Sequence, residues 1–476
     1  MLAHACVGRT PKKYPRMAHV YARHKRRVGM GNARMGSVGE IAKVSVVGAG
    51  RSGAVTAACL AEMGHTVRAV DVNEARVAEL SRGKAPFFEP GLDDLLRRHV
   101  DAGRLSFTTS FEETIPGARY ILLSVDTPAQ SNGEANLTSL AAAIHDIAPL
   151  LSPQALVFTR STVPVGTNRW VAERVRSENP DLEFDVISNP EFLREGHAVD
   201  DFLRPERVVI GAESEAAAKE AAKLYANMSA PIILTDLPTA ELIKYAANAF
   251  LATSVSFINE IANICERAGA DVSLVSDALK MDRRIGPDAY LSPGIGFGGS
   301  CLPKDMRALI SSAERLGYDA ALLKAVREVN EYQPGHVLAF LEEVFGRVDG
   351  LSVAVLGLSF KGDTFDLRSS PALAVVERLV AAGARVRAFD PHADSSTSDH
   401  IDGAVELAAD AYAAANGCDA LIVAAEHSEF RDLDLTRLRG AMRSGVLIDG
   451  RNALDGDAAA RAGFTYFGIG RPRRGD

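Results

Sequence analysis

Residues 43–73 read KVSVVGAGRSGAVTAACLAEMGHTVRAVDVN, and the fold is decided there. The β-branched run Val44–Val47 leads into Gly48-Ala49-Gly50-Arg51-Ser52-Gly53; an alanine-rich segment then runs to Gly64, and Val67–Val70 closes on Asp71. Strand, tight turn, helix and strand in this order make a dinucleotide-binding βαβ unit. Gly48 permits the tight turn, Gly50 lets backbone N–H groups reach a pyrophosphate at the helix N-terminus, and Gly53 lets the helix lie close to the strand. Asp71 follows Gly53 by 18 residues. At that spacing a carboxylate accepts from both ribose hydroxyls and repels a 2′-phosphate, so the expected cofactor is NAD and not NADP. Arg76 is placed to lie over the adenine side.

Working outward, apolar strands recur at ARYILLSVDTP (118–128), ALVFTRSTVPVGT (155–167) and FDVISNPEF (184–192), each ending in polar residues and a proline. Ligands of an open parallel sheet bind beyond the carboxyl ends of its strands, which puts Thr127, Thr162 and Glu191 on the rim facing cofactor and substrate. Singly, each threonine reads as a loop cap; together on one rim they read as a site.

Residues 239–268, TAELIKYAANAFLATSVSFINEIANICERA, contain neither glycine nor proline and stop before Gly269. At 1.5 Å per residue they predict one helix of about 45 Å, with Thr239 as N-cap and Glu241 in the first turn. Lys244 and Asn248, four apart, share a face with Glu241 and Leu251. A lysine is ordinarily a surface charge, but here it neighbours an amide in an Ala, Leu and Phe stretch, which points to a half-buried polar pair. A helix this long between two α/β halves also suits a dimer interface, so a homodimer or higher homo-oligomer is expected.

The rhythm restarts at LSVAVLGLSFKGDTFDLRSSPALAVVERLVAAGARVRAFDPHA (351–393), followed by strands at DALIVAAEH (419–427) and GVLIDGRN (445–452). This is a second Rossmann-like unit without the full glycine fingerprint. Lys361, Arg368 and Arg451 fall in loops after its strands, where a phosphate-bearing ligand is expected. The fold class is therefore α/β, with two Rossmann-like doubly wound parallel-sheet domains joined by a long central helix. The expected division is 1–40 as a basic, disordered tail, 41–235 for cofactor binding, 236–335 as a central helical, dimerising region, and 336–476 for the second sheet.

Composition excludes several classes. The chain has 476 residues, 47% hydrophobic and 24% charged, with net charge −8. That balance argues against a nucleic-acid coat, and no apolar run is long enough for a membrane span. Residues 1–40 hold Arg9, Lys12, Lys13, Arg16, Arg23, Lys25, Arg26, Arg27 and Arg34 against Glu40 alone. They read as a disordered tail or as residues upstream of a start at Met30 or Met35, with a nucleic-acid-binding arm as the sharper alternative. Five scattered cysteines, Cys6, Cys59, Cys265, Cys301 and Cys418, show neither C-x-x-C pairs nor a Cys/His cluster at metal-ligand spacing. Free thiols in a reducing, cytoplasmic compartment are expected, with no metal. One of them stands out: GFGGSCLPKD (296–305) presents Cys301 at the end of a glycine-rich loop, either as a packed small residue or as a nucleophile.

With GAGRSG, STVPVGT, NPEFLREG, ELIKYAANAFLA, GFGGSCLPKD and LGLSFKGDTFDLRSSP in this order, the chain resembles the UDP-glucose/GDP-mannose dehydrogenase family from Lys43 to about Gly468. The resemblance implies a cytosolic enzyme that oxidises C6 of a nucleotide sugar twice with NAD. It implies that Cys301 is the nucleophile, that Lys244 and Asn248 stabilise the oxyanion, and that Glu191 is the general base or acid. Asp305 is implied to help activate or position Lys244 and water, and Thr162 to order water. Arg368 is implied near the cofactor or substrate and Glu195 beside both, with Thr127 expected at the cofactor from its place on the rim. Glu191, Phe192, Leu193, Lys244, Asn248, Gly298, Lys361 and Arg451 are implied around the substrate.

GSCLPKDMRAL and FLRE look like the GDP-mannose branch, whereas STVPVGT, ELIKYAANAFLATSVSFINEIAN and RPERVVIG are closer to the UDP-glucose branch, which is the expected one. Asp126 in SVDTP departs from the usual small-residue turn near the cofactor. Two other classes stand beside this reading: a non-catalytic binder of NAD and sugar nucleotide, and an ordinary two-electron hydroxyacid dehydrogenase.

Overall fold

The computed structural model describes residues 19–21, 41–130, 132–393, 397, 401, 403 and 405–475. The first sheet contains β1 (His19–Tyr21), β2 (Lys43–Val47), β3 (Thr66–Val70), β4 (Leu105–Thr108), β5 (Tyr120–Leu123), β6 (Ala155–Thr159), β7 (Phe184–Ser188), β8 (Val208–Ala212) and β9 (Ile232–Thr235). Its order is β1-β9-β8-β7-β6-β5-β2-β3-β4. From β4 to β7 every pairing is parallel, while β7–β8 and β1–β9 are antiparallel. Strands β5 and β6 are buried along their whole length, as a sheet covered on both faces requires. The chain reverses its direction of travel across this sheet at β2/β5, and crevices of this kind bind ligands. Apart from β1, the expected basic tail lies outside the described residues.

Gly48, in the left-handed region at φ +89°, makes the turn after β2, and a Cβ on Gly53 would stand 1.8 Å from the Gly48 carbonyl oxygen. Any larger residue at 53 would push the Arg51–Glu62 helix off the sheet. The helix buries Ala54, Val55, Ala57, Ala58, Cys59, Leu60 and Ala61 against the strands.

The long helix spans Leu237–Ala268, 32 residues. It begins two residues before the expected start, and Thr239 is not its cap: Asp236 Oδ1 accepts from the Thr239 N–H at 2.8 Å. Pro238 sits in the first turn, where its missing N–H costs nothing. Glu241 does not serve its own helix either. Its carboxylate accepts from the N–H groups of Gly166 and Asn168, each at 2.7 Å, and so caps the helix Thr167–Glu178, whose N-cap Gly166 has no side chain to offer.

The second sheet contains β10 (Ser352–Leu356), β11 (Arg385–Phe389), β12 (Val405–Leu407), β13 (Ala420–Val423), β14 (Val446–Asp449) and β15 (Thr465–Gly468). Its order, β12-β11-β10-β13-β14-β15, repeats the doubly wound arrangement of β4-β3-β2-β5-β6-β7, and every pairing is parallel. The repeat extends to side chains. Asp390, one residue past β11, accepts from the N–H groups of Leu358 and Ser359 in the turn after β10, as Asp71 past β3 accepts from Ala49. Burial pushes the Asp390 carboxyl up, but His427 and the Leu358 and His392 amides outweigh it and hold it at about 2.

Contacts divide the chain into two compact units: residues up to 126 with 139–161 and 165–242, and residues 127–138 and 162–164 with 243–476. Within the second unit, Ala249 and Ala252 of the long helix form an apolar cluster with Phe297, Met306, Ile310, Ala320 and Val326.

Candidate active site

Of the expected cofactor residues, Gly48, Gly50, Gly53, Asp71, Arg76 and Glu195 lie in the first unit, while Thr127, Thr162 and Arg368 fall in the second. Asp71 Oδ2 accepts from the Ala49 N–H at 2.7 Å and from Arg76 at 2.9 Å, and Oδ1 accepts from Asn73 N–H at 2.9 Å. The carboxylate is thus fixed against the glycine turn, and Arg76 lies against it and not apart on the helix surface. A Cβ at Gly50 meets nothing within 4 Å, and no side chain caps the Arg51–Glu62 helix that Gly50 opens. An open, uncapped helix N-terminus beside a fixed acid fits the pyrophosphate and ribose of a dinucleotide. Glu195 pairs with Arg51 of the fingerprint at 3.1 Å. Glu191 Oε2 accepts from the Leu193 N–H at 2.6 Å, and Arg207 stacks 3.9 Å over the Phe192 ring.

Upstream of these, Arg160 is 4% exposed and donates to Asn189 and to the Tyr225 hydroxyl. Asn189 in turn donates to the Val209 carbonyl. The network pins the turn that precedes Pro190 and Glu191; its partners lie too far apart in sequence for a local pattern to have revealed it.

In the second unit the groups suited to chemistry gather around the long helix. Lys244 and Asn248 are 4% and 8% exposed, so the half-buried pair expected from sequence is buried outright. Asn248 Nδ2 donates to Asp305 Oδ2 at 2.6 Å, and Lys304 Nζ donates to Asp305 Oδ1 at 2.6 Å. Asp305 is 1% exposed. Its carboxylate is thus shared by an amide and a cation, and Lys304 is a member of the site that sequence reading passed over. Cys301 is exposed and is the N-cap of the helix Leu302–Arg315, where the helix dipole favours a negative charge. Thr127 Oγ1 donates to the Thr162 carbonyl at 2.8 Å, joining the two rim threonines.

The basic residues of the second sheet are placed differently. Arg451 spends its N–H groups on the carbonyls of Ala424, Gly296 and Phe360. Arg368 is held by Asp366 through Nε and Nη2, and its backbone carbonyl accepts from Gly299 N–H at 3.0 Å. Lys361 lies 5.6 Å over the Phe360 ring. A Cβ on Gly298 would stand 2.2 Å from the Ser369 carbonyl oxygen, so the bare backbone there is required by the protein's own packing.

Asp363, His392 and His427 come together from three loops, with potential ligand atoms within 4.8 Å of one another. His427 Nδ1 already accepts from the Asp363 N–H at 3.0 Å, and Nε2 faces Ser359 Oγ at 2.9 Å and Asp390 at 3.2 Å. A metal ion there would first have to displace the Asp363 amide.

The first sheet, doubly wound and carrying a complete dinucleotide fingerprint, defines an NAD-binding domain. Residues 42–229 match the NAD binding domain, 238–332 the central domain and 354–456 the UDP binding domain of the UDP-glucose/GDP-mannose dehydrogenase family. The chain belongs to that family. It is 44% identical to UDP-glucose 6-dehydrogenase TuaD of Bacillus subtilis (strain 168), over 90% of this chain and 93% of that protein. It is also 44% identical to UDP-glucose 6-dehydrogenase of Pseudomonas aeruginosa, over 91% and 98% respectively. A solved UDP-glucose dehydrogenase from the hyperthermophilic archaeon Pyrobaculum islandicum matches with TM-score 0.86 and 38% identity, covering 92% of this chain and all of that one.

Proposed function

We propose that this protein oxidises the C6 hydroxymethyl group of UDP-glucose to the carboxylate, giving UDP-glucuronate. Cys301 carries the reading: an exposed thiol at a helix N-terminus, on the helix that also bears the buried Asp305 bonded to Asn248. NAD, when bound, supplies the hydride acceptor, two equivalents per substrate. Glu191 takes the hydroxyl proton in the first oxidation. The Cys301 thiolate then adds to the C6 aldehyde, giving a thiohemiacetal that loses the second hydride to become a thioester; water cleaves it, releasing the carboxylate and the thiol. Lys244 and Asn248 stabilise the oxyanion formed at each addition. Asp305, buried between Asn248 and Lys304, orients both and positions water, assisted by Thr162. Lys361 and Arg451 act on the substrate side, Arg451 by holding the Gly296 carbonyl. Similarity to enzymes named for UDP-glucose supports UDP over GDP.

Purified protein is expected to form two NADH per UDP-glucose and none with GDP-mannose, measured by absorbance at limiting substrate. One NADH per substrate makes it an ordinary two-electron dehydrogenase, and turnover of GDP-mannose alone overturns the substrate.

The long helix supports a homodimer. Phe250, Phe257 and Ile264, spaced by seven, are 71%, 46% and 56% exposed, an apolar stripe of the kind that pairs helices. Light scattering is expected to give twice the chain mass, and Phe257→Glu to return it to the monomer; a wild-type monomer sinks the assignment. We place the enzyme in the cytoplasm, because its described cysteines are free, as in a reducing compartment.

A further inference from the structure

The loop before Cys301 is held by side chains from three separate elements. Asn259 Oδ1, on the long helix, accepts from the Gly294 N–H at 2.8 Å. Arg451, after β14, donates to the Gly296 carbonyl at 2.9 Å. Asn330, on the helix Ala321–Phe345, does more than either: Oδ1 accepts from the Phe297 N–H at 2.7 Å and Nδ2 donates to the Phe297 carbonyl at 3.0 Å. One amide thus satisfies both polar groups of one backbone residue, as a neighbouring strand does.

Gly296 is built to admit it. Its φ is +112°, and a Cβ there would stand 2.9 Å from Asn330 Oδ1. The Phe297 side chain, 9% exposed, locks the same residue from the other direction by packing with Ala249, Met306 and Val326. Four residues on lies Cys301, whose exposed thiol must meet the reacting carbon at the right distance and angle.

We propose that Asn330 is the positioning residue of the Cys301 loop, and that Gly296 is a glycine because Asn330 occupies the space a side chain would need. Asn330 acts through the Phe297 backbone; it fixes where the nucleophile stands, not how nucleophilic it is. The inference rests on Cys301 being the nucleophile. Its physical content, immobilisation of residues 294–301, is measurable without turnover.

The test uses the full chain carrying Asn330→Ala, and Asn330→Asp, which keeps the acceptor but loses the donor. In Asn330→Ala, hydrogen exchange of the peptide containing Phe297 and Gly299 is expected to accelerate at least tenfold while peptides from β2 to β6 are unchanged. Its kcat with UDP-glucose is expected to fall about 10- to 100-fold, the scale of a misplaced reacting group, with KM values within about threefold. Asn330→Asp should fall between it and wild type. Unchanged exchange in the loop, or acceleration spread evenly over the molecule, overturns the proposal, as does a loss confined to KM. Loop exchange that accelerates in Asn330→Ala, combined with full NADH production by Cys301→Ala, leaves the clamp standing and removes the nucleophile assignment instead.

Discussion

Cys301→Ala is expected to lose NADH production by about 10³-fold or more, because without the thiol the aldehyde is not held and the second oxidation has no covalent adduct to draw on. The same end is reached on the wild-type protein with iodoacetamide, and the structure explains why the reagent should discriminate among the described cysteines. Cys301 is exposed, whereas Cys59, Cys265 and Cys418 are buried. Burial, reinforced by Glu62, pushes the Cys59 thiol far above its usual range; burial with Asp271 and Glu266 raises Cys265, and burial raises Cys418. The reactive species is the thiolate, so these three are disfavoured by both access and charge. Alkylation followed by peptide mass mapping should therefore show adduct on Cys301 accumulating in step with lost activity. Stoichiometric adduct on Cys301 with NADH production untouched would remove it from the chemistry.

How much of this was legible in the sequence depends on the distance over which each interaction acts. The βαβ unit at residues 43–73 is local: the turn needs glycine at 48 and the close approach needs glycine at 53, so a short string specifies its own geometry. The second sheet was legible for the same reason, although its turn lacks the full fingerprint. Lys244 and Asn248 were legible as a pair because four residues on a helix is one turn.

What escaped was the use that distant parts make of these groups. Glu241 read as a first-turn acid of its own helix, yet it caps a helix that begins 74 residues earlier, at Thr167. Asp236 took the capping place assigned to Thr239, and the helix starts earlier than expected because the proline at 238 is tolerated in a first turn. Gly298 read as a neighbour of the substrate; the groups that approach Gly296 and Gly298 are Asn330 and the Ser369 carbonyl. Asn330, 33 residues past Phe297, sits in a helical pattern in which nothing distinguishes it from a solvated amide.

Lys244 carries the other large effect. Lys244 is 4% exposed, so its side chain has given up most of its hydration. One turn on, Asn248 donates to Asp305. In the proposed oxyanion role this cation acts on charge that develops only during reaction. Lys244→Met keeps the length and apolar stem and deletes the charge. It is expected to lower kcat by about 10²- to 10³-fold, the loss typical of one oxyanion donor, with KM for UDP-glucose within about threefold and the alkylation rate of Cys301 within about twofold. The division between kcat and KM decides the role: an interaction made equally in ground and transition states raises KM and spares kcat. A variant with normal kcat and weakened substrate binding would make Lys244 a binding group, and one with a lowered Tm but unchanged kinetic constants in its folded fraction would make it a structural one.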